Sequence, residues 1–260
     1  VISAYTSGPG SIEIIAHRGF AARFPENTLP SLDGALDAGA SSLEWDIQVA
    51  ADGVPVLFHD DVLDRTTDGT GPVHALTSAE LASLDAGSWL AADFAGTRVP
   101  TLSETLARLD KRVDRIYPEV KGVRSDADLE SILRILRGSG LYSRTVLLSL
   151  NHALLAQVRT LDPEIQLGWV VDDEKDMERC ARTVADDGRA ILDPAARLLI
   201  ENPAGTCEMV AAGIPLATWT VDDTDEAQSL LDLGVRRITT NQVARLVRWA
   251  RAVEVEELKS

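Results

Sequence analysis

Residues 145–171 read TVLLSL-NHALLAQVRTL-DPE-IQLGWVV, and the change of rhythm inside this stretch decides the fold. The first six residues are a short, nearly continuous apolar run, as expected of a strand buried on both faces. Asn151 then opens a helical pattern, with Leu154, Leu155, Val158 and Leu161 recurring at helical spacing until Asp162 and Pro163 stop it. A second apolar run follows at 165–171. Strand, helix and strand in so few residues describe a crossover unit, which sets the two strands parallel.

The pattern repeats outward in both directions. Toward the N-terminus, residues 12–16, 43–49 with an extension at 54–58, and 115–120 read as strands. Helices are expected at 27–38, with Pro30 in the first turn, at 101–111 behind the capping box Thr101-Leu-Ser-Glu104, and from 125 to 138. Toward the C-terminus, strands are expected at 189–192, 214–221 and 236–240, and helices at 174–185, from about 203, at 224–233 and at 242–253. Eight strand-then-helix units in 260 residues, with no Gly-rich dinucleotide fingerprint after the first strand, predict an α/β fold of the TIM type, a closed (β/α)8 barrel. One excursion breaks the alternation. Residues 60–100 carry turn chemistry at 67–71, a short helix capped at Thr77, and the apolar Leu76, Leu84, Trp89 and Phe94. They predict a small lobe inserted after strand two, over the mouth of a single domain spanning 1–260.

Composition narrows the functional classes. A 45% hydrophobic and 25% charged chain has material for a core and excludes disorder. Its 25 Lys and Arg against 41 Asp and Glu give a net charge of −16, which excludes general nucleic-acid binding and disfavours anionic membranes. No run approaches the ~18 apolar residues of a membrane span, so no stable membrane insertion is expected. Residues 1–10 lack a signal-peptide pattern, and the chain opens on Val1, which leaves room for a segment removed ahead of it. Cys180 and Cys207 are too few for a disulfide framework and read as two small buried thiols. A cytoplasmic monomer or homodimer is the expectation.

Active residues of a parallel barrel gather where strands end. His17-Arg18-Gly19 ends strand one, and His59-Asp60 ends the extension of strand two. Glu44 and Asp46 lie two apart in strand two, so both carboxylates project to one face, as do Glu119 and Lys121 at the end of strand three. Singly, each has an ordinary reading as a surface or salt-bridge residue. Their coincidence at neighbouring strand ends does not. Three carboxylates without cysteine suit a hard divalent ion, Mg2+ or Ca2+. Two histidines suit a general base and a general acid, and Arg18 and Lys121 suit a phosphate. Together these groups point to metal-assisted cleavage of a phosphoester.

The ordered motifs Ile14-Ile-Ala-His17-Arg18-Gly19, Pro25-Glu26-Asn27-Thr28, Glu44-x-Asp46, His59-Asp60, Glu119-x-Lys121, Trp219-Thr220-Val221 and Gly234 to Thr240 resemble the glycerophosphodiester phosphodiesterases. The resemblance covers residue 14 to about 241. It implies a barrel with an inserted lobe, and Glu44, Asp46 and Glu119 as ligands of one divalent cation. It further implies His17 and His59 as the acid–base pair, Arg18 and Lys121 on the phosphate, and a small-molecule glycerophosphodiester as substrate. The neighbouring glycerol hydroxyl would attack, with His17 as base and His59 as acid. Phe20 and Trp219 are candidates for the apolar wall of the glycerol pocket, while Glu26 and Asn27 are expected to fix their loop and cap the following helix.

Two positions depart from the family pattern: Asp222 where relatives often have Asn, and Ser149-Leu150-Asn151 where they often have Ser-Phe-Asp. Both put the substrate range in question. His74 and His152 are expected to be exposed, and the net negative charge is expected to raise the histidine pKa values. Competing readings are a lysophospholipase D or sphingomyelinase D type activity, a non-catalytic phosphodiester-binding barrel, and a sugar-phosphate barrel enzyme. The last lacks a Gly-rich phosphate loop after strand seven.

Overall fold

The computed structural model describes residues 11–109 and 112–259. The reading of residues 1–10, and the end of the first 100s helix at 111, fall outside the described residues. The strands are β1 (Glu13–Ala16), β2 (Ser42–Val49), β3 (Pro55–Leu57), β4 (Arg115–Val120), β5 (Val146–Ser149), β6 (Gln166–Val171), β7 (Ala190–Pro194) and β8 (Arg237–Thr240). They form a parallel sheet in the order β7-β6-β5-β4-β2-β1-β8, with β3 added antiparallel to β2. Residues 216–219 bridge to β7 at Leu192 and Ala195 and to β8 at Ile238, which joins the two ends of this order into a closed barrel. The expected strand at 214–221 is thus reduced to isolated bridges. Pro215 at its start has no N–H to give to a ladder.

Helices α1 (Leu29–Asp37), α3 (Leu102–Leu109), α4 (Asp126–Gly138), α5 (His152–Leu161), α6 (Glu174–Asp187), α8 (Pro203–Ala211), α9 (Thr224–Asp232) and α10 (Val243–Glu257) follow the strands as expected. One helix was not foreseen. The chain is already helical at α7 (Ala196–Glu201), before Pro203. Proline disfavours helical backbone at Asn202, which breaks the run there, and Asn202 then caps α8 through its Oδ1.

The apolar core lies in two layers. The larger fills the space between strands and outer helices, with Trp45, Leu43, Ile47, Ile116 and Leu147 fully buried. The smaller fills the barrel interior with Ile15, Tyr117, Val146, Leu148, Val170, Ile191 and Ala217. Gly168 makes this interior fit, because a Cβ there would stand 2.0 Å from a Leu148 methyl. The floor is closed by Glu13, which accepts from Ser42 Oγ at 2.6 Å and Tyr117 Oη at 2.9 Å and pairs with Arg115 at 3.1 Å.

Between β3 and α3 the chain makes single helical turns and the short helix α2 (Ser78–Leu81), whose capping box pairs Thr77 with Glu80. This segment packs on its own cluster of Phe58, Leu63, Val73, Leu81, Ala86 and Val99, with Leu76 and Leu84 against it. Phe94 rests on Phe24 of the β1–α1 loop, ring centroids 5.6 Å apart. Trp89, read as part of the lobe's apolar set, is exposed.

Candidate active site

The C-terminal ends of the strands surround a cavity of about 230 Å³ lined by His17, Arg18, Glu44, His59, Glu119, Lys121, Leu148, Leu150, Val170, Asp193, Trp219, Thr220 and Thr239. The carboxylates of Glu44, Asp46 and Glu119 converge there, each offering an oxygen within 4.8 Å of the others. Glu44 and Asp46 are 3% and 1% exposed, and Glu44 Oε1 and Asp46 Oδ1 are buried without a hydrogen-bond donor. Burial, then the nearby Asp46 charge, pushes Glu44 well above the usual carboxylate range and raises Glu119 in the same way. Two buried oxygens left without donors in a cluster of three carboxylates fit a hard divalent cation, which would add to the positive charge of Arg18 and Lys121.

The β1–α1 loop shapes one side of this centre through unusual backbone. Arg18, Gly19 and Asn27 all have positive φ, at 53°, 81° and 56°. For Arg18 and Asn27 such backbone is strained and must be held by its surroundings. The Arg18 N–H donates to Glu44 Oε2 at 2.8 Å, and its guanidinium pairs with Asp46 at 3.1 Å and Glu26 at 2.9 Å. Asn27 Nδ2 donates to Asp46 Oδ2 at 2.8 Å while its Oδ1 accepts from the Asp46 N–H at 3.0 Å. Asn27 therefore fixes a candidate ligand, and the helix cap falls to Thr28, whose hydroxyl accepts from the Ser31 N–H. Lys121 Nζ lies 3.1 Å from Glu119 and 3.6 Å from Asp46.

The two histidines are held differently. His17 Nδ1 is 2.8 Å from Asn241 Oδ1, and its Nε2 faces Glu44 Oε2 at 4.0 Å. Asn241 is in turn oriented by Asp222, whose Oδ2 accepts from Asn241 Nδ2 at 2.9 Å and whose Oδ1 accepts from the Asn241 N–H at 2.7 Å. Because the amide nitrogen is committed to Asp222, the oxygen faces His17, which must hold its proton on Nδ1 and leave Nε2 free. Burial, then the Arg18 charge, pushes His17 down to about 4, opposite to the rise expected from net charge. His59 Nδ1 instead meets Asp60 Oδ1 at 2.5 Å. Arg65 clamps that carboxylate with Nε at 2.7 Å and Nη2 at 2.9 Å, and reaches Glu26 at 2.8 Å. These bonds hold Asp60 far below its usual range.

Sequence reasoning brought seven of its nine site residues, His17, Arg18, Glu44, His59, Glu119, Lys121 and Trp219, onto the cavity wall, and Asp46 into the carboxylate cluster. Phe20 is not among the lining residues; its ring packs in the core against Phe24 at 6.0 Å. Trp219 lines the cavity and donates from Nε1 to the backbone oxygen of Asp193 at 3.0 Å. Asp193, Asn241, Asp222 and Arg65 were missed as site residues. Asp222, expected to bear on the substrate range, is engaged by Thr240, Asn241 and Gln242. His152, expected exposed, is half-buried against Trp169 at 5.1 Å, and Cys207 is exposed rather than buried. His74 is exposed and Cys180 buried, as expected.

Comparison with known proteins agrees with this geometry. The model of the glycerophosphoryl diester phosphodiesterase family matches residues 17–245. A glycerophosphodiester phosphodiesterase of Caldanaerobacter subterraneus subsp. tengcongensis is 29% identical over 240 residues, covering 92% of this chain and 97% of that one. An Oleispira antarctica phosphodiesterase, solved in complex with the product sn-glycerol-3-phosphate, is similar with a TM-score of 0.84 at 28% identity, covering 91% of this chain and 96% of that one. A glycerophosphodiester phosphodiesterase from Agrobacterium tumefaciens gives a TM-score of 0.78 at 28% identity, covering 90% and 97%. Among the described residues no helix is long and apolar enough to cross a membrane.

Proposed function

Because the chain belongs to the glycerophosphoryl diester phosphodiesterase family, whose members are phosphoric diester hydrolases, we propose that its substrates are glycerophosphodiesters such as glycerophosphocholine and glycerophosphoethanolamine. The products are sn-glycerol 3-phosphate and the free alcohol. The observation that carries this reading is the convergence of three carboxylates, with Glu44 Oε1 and Asp46 Oδ1 left without donors, beside two histidines each held through Nδ1.

A divalent ion, Mg2+ or Ca2+, held by Glu44, Asp46 and Glu119 would offset the charge that builds on the phosphate during attack. Arg18 and Lys121, already fixed at this centre by carboxylates, steady the non-bridging oxygens. The Asn241 oxygen keeps the proton on Nδ1 of His17, so Nε2 accepts the proton of the attacking hydroxyl. The attacker is the glycerol hydroxyl next to the phosphate, and its proximity is worth up to ~7–11 kcal/mol. The bond from phosphorus to the alcohol oxygen breaks as His59, whose Nδ1 is held by Asp60, gives that oxygen a proton from Nε2. Water then opens the cyclic phosphate with the two histidines in exchanged roles.

Residues 60–100 act in this reading as a lobe of a single domain, and the Arg65 bridge from Asp60 to Glu26 supports that role. The reading extends to a cytoplasmic location, which the two free cysteines support, and to a monomer or homodimer.

The test is product analysis with and without metal. Glycerophosphocholine should yield choline and sn-glycerol 3-phosphate one for one. Chelation should lower the rate by about 10³-fold, and Mg2+ or Ca2+ should restore it. Full activity in excess chelator would remove the metal from the account. Faster turnover of a lysophospholipid than of its deacylated form would replace the substrate class.

A further inference from the structure

Strand β7 stands four strands from β2 in either direction round the barrel, so its inward side chains face the carboxylate cluster across the cavity. Ile191 points into the barrel interior beside Val170 and Ala217. Two residues on, Asp193 must point the same way. It is 3% exposed, yet it lines the cavity at its apolar end, near Leu148, Val170 and Trp219. Its Oδ1 is buried with no donor, and the Trp219 N–H beside it goes to the Asp193 backbone oxygen instead.

Other buried carboxylates are treated differently. Asp128 takes a forked pair of bonds from Arg124, and Asp162 is held by Arg137 and Tyr142. Glu44 and Asp46 face a shared centre. Asp193 has no arginine, it feels the charge of Glu119 without belonging to the three-carboxylate cluster, and its Oδ1 is left without a donor in the wall of the cavity.

We propose that Asp193 is a specificity-determining residue whose carboxyl binds the terminal hydroxyl of the substrate's glycerol moiety. This holds that arm at the apolar end of the cavity and leaves the hydroxyl next to the phosphate free to attack. The assignment rests on the glycerophosphodiester reading above. A hydroxylated arm suits the site better than a quaternary ammonium, because Trp219 is the one Phe, Tyr or Trp ring among the lining residues, too few for a cage. Burial, then the charge of Glu119, also pushes Asp193 up to about 8, and a carboxyl that keeps its proton can both donate to and accept from a hydroxyl.

The experiment compares glycerophosphocholine with the choline diester of propane-1,2-diol 1-phosphate, which keeps the attacking hydroxyl and lacks the terminal one. Both are measured with Mg2+-loaded wild type, Asp193→Asn and Asp193→Leu, and each protein's thermal unfolding is recorded. Wild type should favour the glycerol substrate by about 10- to 100-fold in kcat/KM. Asp193→Leu should shrink that preference to within about threefold by losing rate on the glycerol substrate alone, while Asp193→Asn keeps part of it. Neither variant should unfold at a lower temperature, since each removes an unpartnered buried carboxyl. The proposal is overturned if Asp193→Leu keeps the wild-type preference, or if both rates fall together with the unfolding temperature. Wild type that turns over neither substrate would overturn the reaction itself, and this assignment with it.

Discussion

The mouth of the barrel has two halves of opposite character. The ends of β1, β2 and β4, with the loop after β3, present His17, Arg18, Glu44, Asp46, His59, Glu119 and Lys121, cross-linked by ion pairs and backbone bonds. The ends of β5, β6, β7 and residues 216–219 present Leu148, Leu150, Val170 and Trp219, with one carboxyl, Asp193, among them. The first half positions charge and moves protons. The second gives shape, with Asp193 as its one carboxyl. Chemistry that needs several groups at once demands the dense half, whereas choosing one small hydroxylated arm over another needs little more than a cavity and one polar atom.

Substitutions in the dense half should do the most damage. Glu44→Gln removes a candidate cation ligand and weakens the acceptor of the Arg18 N–H, so turnover of glycerophosphocholine should fall by about 10³-fold or more. An unchanged rate would take Glu44 out of the centre. His59→Ala should cost about 10²- to 10⁴-fold on alkyl leaving groups and far less on a p-nitrophenyl diester, whose leaving group needs no proton. Equal losses on both would deny His59 the acid role. Asn241→Ala should cost about tenfold in kcat with little change in KM, because His17 keeps its place but loses the partner that selects its tautomer. A change confined to KM would count against positioning.

The apolar half should show itself in stability. Asp193 takes up its proton at about 8 when folded, against an ordinary 3.8. Between those values the folded state binds more protons than the unfolded, so the stability from the protonated carboxyl is full below pH 4 and is lost as pH rises through about 8. Asp193→Asn does not titrate, so in metal-free protein its Tm advantage over wild type should grow from pH 4 to pH 8. A constant difference would place the carboxyl in contact with water.

The dense half was legible because its pairs are local. Glu44 with Asp46 and Glu119 with Lys121 are two-residue spacings at strand ends, and their meaning survives without knowing the rest of the barrel. Asp193, Asn241 and Asp222 are single polar residues whose roles arise only when β7, β8 and the connecting loop meet across closed strands. Asp193 did leave a trace, an acid ending the apolar run 190–192 much as Glu119 ends 116–118. Local chemistry also explains the misread elements, with Pro203 hiding the helix before it and Pro215 thinning the seventh strand to bridges. Phe20 was misjudged because an aromatic ring beside His17-Arg18-Gly19 could face either cavity or core, and α1 takes it into the core.

Steady-state kinetics of His59→Ala and Asp193→Leu, side by side on glycerophosphocholine and its counterpart without the terminal hydroxyl, test the division of labour most directly. The account predicts that His59→Ala lowers kcat/KM on both substrates by the same factor and preserves the wild-type preference. It predicts that Asp193→Leu erases the preference while leaving the poorer substrate's rate unchanged. If His59→Ala alters the preference, or Asp193→Leu lowers both rates equally, the two halves do not divide chemistry from selection.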